Sequence, residues 1–245
     1  MKKLSPKAVI FDLGSTLIDF PVNNWEAVSR ECSLYGRKVL LDAGYDLPDE
    51  EEFLNAFDAV RARFRKRAME THQEWTVDRA AEELLCEFGI DTGNGLAMKF
   101  LDAFYASLEI HLSLYEDTIE MLTGIRNRYD KVGLISNTIF PEKVHHHEFK
   151  RFGLKPFFDF TIFSSTFKIR KPHPSIFLKA AELAGQNPED CLYIGDRYLE
   201  DFQGATGAGM SAILKIIPDR EYPDDMPKSM RRISSLSDLS GHLDI

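Results

Sequence analysis

Hydrophobic positions fall into two rhythms along this chain. Near the N-terminus, Ala8-Val9-Ile10-Phe11 is an unbroken apolar run, followed by Asp12 and the turn residues Gly14-Ser15-Thr16. Such a run predicts a short strand buried on both faces that delivers one carboxylate at its C-terminal tip. After Asp19 the spacing becomes helical and stays so for about ninety residues. Asn24 is placed to cap a helix carrying Trp25, Val28, Tyr35, Val39 and Leu40, and Pro48-Asp49 to open a second with Phe53, Phe57, Val60 and Phe64. Thr76 precedes a third helical run, Ala80, Ala81, Leu84, Leu85 and Phe88, which Gly89 ends; a fourth extends from about Leu96 to Leu112.

From Tyr115 onward strands and helices alternate. A helix through Ile119, Leu122 and Ile125 leads to an apolar strand over 131–137, a helix over 142–152, a strand over 158–164 and a helix over 174–185. Cys191-Leu192-Tyr193-Ile194 is the next strand, ending at Gly195-Asp196, before a Gly-rich helix over 199–209 and a strand over 211–216. Alternation of this kind predicts an α/β fold, a Rossmann-like doubly wound parallel sheet built from residues 1–19 and 114–245, with an all-α cap inserted at 20–113. The tail after Pro218 is rich in Pro, Asp and Ser and is expected to lie over the surface, with one short helix at most.

Charge removes several function classes. Thirty Lys and Arg against 39 Asp and Glu leave a net charge of −9, which disfavours nucleic acid as a partner. The one dense basic stretch, Arg61 to Arg67, alternates with apolar residues at helical spacing and reads as a solvated helix face. No apolar run approaches a membrane span and none resembles a signal peptide, so no membrane partner and a cytoplasmic location are expected. Cys32, Cys86 and Cys191 have no paired spacing and predict neither a disulfide framework nor a zinc site. His145-His146-His147 is a weak metal candidate, because consecutive helical residues point in different directions. Oligomeric state is left open by these patterns.

Chemistry gathers at the predicted strand tips: Asp12, then Ser136-Asn137-Thr138, then Lys171 in Arg170-Lys171-Pro172-His173-Pro174, then Asp196 with Asp201 five positions on. In a parallel sheet these tips converge. Carboxylates gathered without equal cations repel, and a hard divalent cation held by oxygen is the usual remedy, so Asp12, Asp196 and Asp201 point to Mg²⁺. A lysine and a hydroxyl beside such a site suit a transferring phosphoryl group. A carboxylate can then attack phosphorus and form an aspartyl-phosphate.

Taken in order, these motifs resemble the haloacid dehalogenase-like (HAD) superfamily, and the resemblance covers nearly the whole chain. It implies Asp12 as nucleophile, Ser136 and Asn137 at the phosphoryl oxygens and Lys171 as the cation joining nucleophile to phosphoryl group. It further implies Asp12, Asp196, Asp201 and the backbone carbonyl of Gly14 as Mg²⁺ ligands. The activity implied is Mg²⁺-dependent hydrolysis of a small phosphorylated metabolite.

One position departs from the family's phosphatases. They usually carry a second Asp two residues after the nucleophile, which protonates the leaving group and then activates water; here that residue is Gly14. General acid–base catalysis is worth about 10²–10⁴-fold in rate. Aryl phosphates, whose leaving groups are stable anions, are therefore expected to react faster than alkyl phosphates unless another residue supplies the proton. Ser15 reads as a turn residue and Asp19 as the start of the cap linker. Lys168, where the family often has Gly, is a candidate cation near the mouth of the site. Two rival readings follow: a protein of the same fold that binds phosphate or Mg²⁺ with little or no turnover, and a metal-free 2-haloacid dehalogenase, in which Asp196 and Asp201 would lack compensating charge.

Overall fold

The computed structural model describes residues 3–19, 25–93, 95–218 and 220–245. β1 (Ala8–Phe11) and the short β2 (Ile18–Asp19) come first, followed by α1 (Trp25–Asp42), α2 (Glu50–Thr71), α3 (Val77–Glu87) and α4 (Leu96–Glu109). β3 (Ser113–Leu114) pairs antiparallel with β2, so the chain enters and leaves the helical segment through one two-stranded ribbon. Then follow α5 (Thr118–Arg128), β4 (Lys131–Ser136), α6 (Glu142–Arg151), β5 (Phe160–Phe163), α7 (Ser164–Phe167) and α8 (Pro174–Ala184). β6 (Cys191–Gly195), α9 (Gly204–Gly207), β7 (Ser211–Lys215) and β8 (Arg232–Ile233) complete the series.

The main sheet has six parallel strands in the order β5-β4-β1-β6-β7-β8. Alternate side chains of each strand leave on opposite faces. Val9, Phe11, Val132, Leu134, Leu192 and Ile194 join one apolar cluster with Leu122 and Ile125 of α5 and Phe149 of α6. Ala8, Ile10, Ile135 and Tyr193 join the other, with Ile176, Phe177 and Ala180 of α8. Strand order reverses beside β1, where open α/β sheets form their ligand crevice. Asp12 and Asp196 stand at that crevice, directly after β1 and β6.

The four helices pack on one another around Phe53, Phe57, Phe100 and Phe104, and the same cluster takes in Phe140 and Val144 from the connection after β4 and from α6. Asp49 caps α2, accepting from the Glu52 N–H at 2.9 Å. Thr76 precedes α3 without making a side-chain cap bond, and Asn24 lies outside the described residues.

Three expectations are corrected. Tyr35 is 51% exposed, because the buried stripe of α1 runs through Val28, Cys32 and Leu40. Arg61 departs from the solvated face of its basic run: its guanidinium is buried over the Phe57 ring, 5.0 Å from the centroid, and is hydrogen-bonded to Ser29 and Asp58. The tail is more than a surface covering. It adds β8 to the sheet and carries Leu236, Leu239 and Leu243 into the core. Among the described residues, no helix is long and apolar enough to cross a membrane.

Candidate active site

Asp12 follows β1, its N–H held by the Ile194 carbonyl at 2.8 Å, and its side chain is buried. Lys171 meets it from the loop between α7 and α8, not from a strand tip as the sequence pattern suggested. The ammonium Nζ lies 2.7 Å from Asp12 Oδ1, 2.6 Å from Asp201 Oδ1 and 2.8 Å from the Tyr193 hydroxyl. An ammonium has three protons, and these are its three close acceptors. Burial works against the Lys171 charge, but Asp12 and Asp201 outweigh it and hold the pKa above the ordinary lysine value. Burial pushes the Asp12 carboxyl up; Lys171 pulls it back and Asp201 pushes it up again, leaving it raised.

Asp201 anchors this arrangement. Its Oδ1 takes Lys171 and, at 3.1 Å, the Tyr193 hydroxyl, while Oδ2 accepts the N–H groups of Asp196 at 3.1 Å and Arg197 at 2.8 Å. That approach needs glycine at position 195, because a Cβ there would stand 2.4 Å from the Asp201 carboxyl carbon. Burial, then Asp201, pushes the Tyr193 pKa well above its ordinary value, so the phenol keeps its proton.

The two phosphoryl candidates differ. Ser136 ends β4 beside β1 and lines a cavity of about 180 Å³ together with Leu13, Gly14, Ile18, Asn137 and Thr138. Asn137 lines the same cavity, yet its side-chain amide is engaged elsewhere: Oδ1 accepts the Lys171 N–H at 2.8 Å and Nδ2 donates to the Lys171 carbonyl at 3.0 Å. Its side chain thus clamps the lysine backbone. Lys168 lines a separate cavity of about 580 Å³ between α2, α3 and the α7 turn that follows β5. Its φ of 71° is left-handed, which accounts for glycine being favoured at that place. Each histidine of the triplet meets a different carboxylate, His145 with Glu148, His146 with Glu142 and His147 with Glu109, so no shared metal site forms there.

Several site residues escaped the sequence reading. Thr16 Oγ1 lies 3.2 Å from Asp12 Oδ2 and 3.4 Å from Asp196 Oδ1, joining the two carboxylates with one hydroxyl. Arg220, from the tail, pairs with the Asp196 carboxylate and reaches the Ser15 hydroxyl at 3.3 Å. Tyr222 donates to the Asp196 carbonyl at 3.0 Å. Lys215, on β7, donates to the Thr16 carbonyl at 2.9 Å and sits 3.1 Å from the Tyr115 ring centroid, holding the turn after Asp12 from beneath. Only Thr16 carried a signal, a hydroxyl in the turn that follows the nucleophile.

One oxygen from each of Asp12, Asp196 and Asp201 lies within 4.8 Å of the others, all three residues buried. Among the described residues these three carboxylates form direct ion pairs with two cations, Lys171 and Arg220, so the direct pairs leave one negative charge over. An all-oxygen donor set with excess negative charge fits a hard divalent cation such as Mg²⁺.

The haloacid dehalogenase-like hydrolase model matches residues 6–209. Over 225 residues the chain is 28% identical to the glyceraldehyde 3-phosphate phosphatase of Methanopyrus kandleri, covering 91% of this chain and 88% of that relative. Over 240 residues it is 28% identical to the N-acylneuraminate-9-phosphatase of Rattus norvegicus, covering 95% and 92%. Among solved structures, a 2-haloacid dehalogenase from Pseudomonas syringae superposes with a TM-score of 0.73 at 22% identity, covering 96% of this chain and 97% of that one. A HAD phosphatase from Thermococcus onnurineus gives 0.66 at 23%, covering 98% and 100%, and at such identities both describe the shared fold. With a family model spanning β1 to α9 and the motif residues gathered at the crevice beside β1, the chain belongs to the haloacid dehalogenase-like hydrolases.

Proposed function

We propose that this hydrolase is a Mg²⁺-dependent phosphatase acting on a small phosphorylated metabolite through an aspartyl-phosphate on Asp12. The observation that carries the reading is the Lys171 ammonium between Asp12 and Asp201, with the Ser136 hydroxyl on the neighbouring strand. Asp12 attacks phosphorus, the bond from phosphorus to the leaving oxygen breaks, and water later cleaves the acyl phosphate to release inorganic phosphate and free Asp12. Lys171 offsets charge on the phosphoryl oxygens throughout, and Ser136 donates to one of them. Asp12, Asp196, Asp201 and the Gly14 carbonyl would hold Mg²⁺, with Asp201 also keeping Lys171 and the loop after β6 in register. When bound, the cation supplies Lewis-acid stabilisation of the phosphoryl oxygens.

The helical insertion, residues 20–113, serves as a cap that excludes water from the intermediate. Trp25, Leu108 and Leu112 from that side meet Ser136 and Gly14 around the cavity of about 180 Å³. A small cavity at this place suits a short phosphorylated metabolite such as the one named for a relative, the glyceraldehyde 3-phosphate phosphatase. A panel of phosphomonoesters graded by chain length, assayed for phosphate release with Mg²⁺, tests this: preference should fall as the alcohol grows. No turnover on any member, with Mg²⁺ or phosphate still binding, would favour the non-catalytic reading.

One observation favours a second reading. Arg220 on Asp196 and Lys171 on Asp201 supply much of the compensation that carboxylates beside a metal-free nucleophile would need. Halide release from 2-haloacids in the presence of EDTA would support dehalogenation by Asp12 instead.

A further inference from the structure

The small cavity beside Gly14 has a second polar wall that the scheme above does not use. Thr138, two residues beyond Ser136, has its Oγ1 2.8 Å from His145 Nε2 and accepts the Phe140 N–H at 3.1 Å. His145 Nδ1 lies 2.7 Å from Glu148 Oε2, and Glu148 Oε1 accepts the Tyr105 hydroxyl at 2.6 Å. All four residues are buried, and Thr138, His145 and Glu148 line the cavity with Gly14, Ser136 and Asn137. The imidazole is fixed by stacking on Phe163, centroids 4.5 Å apart and planes 14° from parallel. A hydrogen-bonded chain of hydroxyl, imidazole, carboxylate and phenol is costly to bury and is more than packing of α6 requires.

Its proton inventory has two consistent states. In one, His145 carries protons on both nitrogens, donates to Glu148 and to Thr138 Oγ1, and leaves the Thr138 proton for a third partner. In the other, Thr138 donates to a neutral His145 Nε2 while Nδ1–H stays on Glu148. Moving between the states passes one proton out through Thr138.

We propose that Thr138, backed by His145, Glu148 and Tyr105, gives the leaving-group oxygen the proton that an Asp at position 14 would otherwise supply. The inference rests on the phosphatase reading. As Asp12 forms its bond to phosphorus and the ester bond breaks, Thr138 protonates the departing alkoxide and takes the His145 Nε2 proton, leaving a neutral imidazole paired with Glu148. In the second half, attacking water returns its proton by the same path, so the relay ends as it began. Thr138 touches substrate; His145 and Glu148 act through it and set its protonation. The titratable groups facing His145 are Glu148 on its own helix and, through Glu148, Tyr105 of α4, with Glu109 and Arg151 further out.

The test compares H145Q and T138V with the unaltered protein on glycerol phosphate and on 4-nitrophenyl phosphate, across pH and with Mg²⁺ present. Loss of the proton donor should lower kcat on the alkyl ester by about 10²-fold and on the aryl ester by less than about threefold, and H145Q should alter the shape of the pH profile on the alkyl ester alone. T138S should recover most of what T138V loses. If H145Q does not fold, the near-isosteric T138V carries the same comparison. An active parent whose variants lose both esters by one factor, or keep the same alkyl pH profile, overturns the relay alone. A parent inactive on both esters overturns the phosphatase reading and the relay with it.

Discussion

Gly14→Asp probes the place where this chain departs from the phosphatase pattern. Among the described residues nothing lies within 4 Å of a Cβ built at Gly14, and the residue is not among the positive-φ glycines, so the side chain meets no clash there. Restricting the unfolded chain there favours folding by about 0.4–1 kcal/mol. The opposing effect is electrostatic, since a fourth carboxylate joins Asp12, Asp196 and Asp201 with Lys171 and Arg220 as their cations. At about 6 Å and an effective dielectric of about 20, a like pair repels by about 3 kcal/mol. Repulsion of that kind raises the pKa of the new carboxyl, the direction an acid working near neutral pH needs.

The new acid should matter most where the relay is broken. In an H145Q background, Gly14→Asp should raise kcat on glycerol phosphate by about 10²-fold, a barrier change of about 3 kcal/mol, while 4-nitrophenyl phosphate changes by less than about threefold. In the parent, where Thr138 already delivers a proton, the gain should stay below about tenfold, so the two changes are strongly non-additive. Initial rates of phosphate release from both esters by the four proteins measure this directly. Equal factors on the two esters, or simple additivity, would refute the claim that position 14 and the relay serve one leaving oxygen.

Four further outcomes are expected. Asp12→Asn should abolish phosphate release while near-ultraviolet circular dichroism stays unchanged, because the amide is isosteric but not a nucleophile. EDTA should remove activity without lowering the melting temperature appreciably, since the sheet is held by the apolar clusters on its two faces. Gly195→Ala should cost about 1–3 kcal/mol of stability in denaturant titrations, since the added methyl displaces Asp201 and loosens Lys171. Burial lowers the Lys215 pKa from 10.5 to about 8. Between those values the unfolded chain keeps a proton that the folded chain has released, so stability should rise with pH there by about 3 kcal/mol in all, a rise that Lys215→Met should lack.

The strands were legible because each needs only local information. Unbroken runs such as Ala8–Phe11 and Cys191–Gly195 are apolar on both faces, and both faces are covered. Asp12, Ser136 and Asp196 were legible for the same reason, since each sits at the end of such a run and a parallel sheet brings those ends together. Lys171 was identified but misplaced, because the turn of α7 intervenes between β5 and its loop, and a turn of four residues has no periodicity to detect. Tyr35 differs for a similar reason: one residue of phase on α1 turns a side chain by about 100°, from the buried stripe toward solvent.

Arg220 and the Thr138 chain lay beyond sequence reasoning for a different reason. Arg220 lies 24 positions from Asp196 and 205 from Ser15, in a Pro- and Asp-rich stretch whose composition describes a surface loop. Nothing local marks one of its charges as a site residue. In the sequence His145 is one of three adjacent histidines, a pattern that raises only the question of a metal. Its partners come from three places: Thr138 from the end of β4, Glu148 one turn along α6 and Tyr105 from the helical insertion. Only the packing of α4 against α6 makes them one network, and that packing also closes the cavity over Gly14. The missing carboxylate and the relay therefore share one wall: the residue whose absence the sequence displays leaves the space that the relay, visible only in the folded chain, faces.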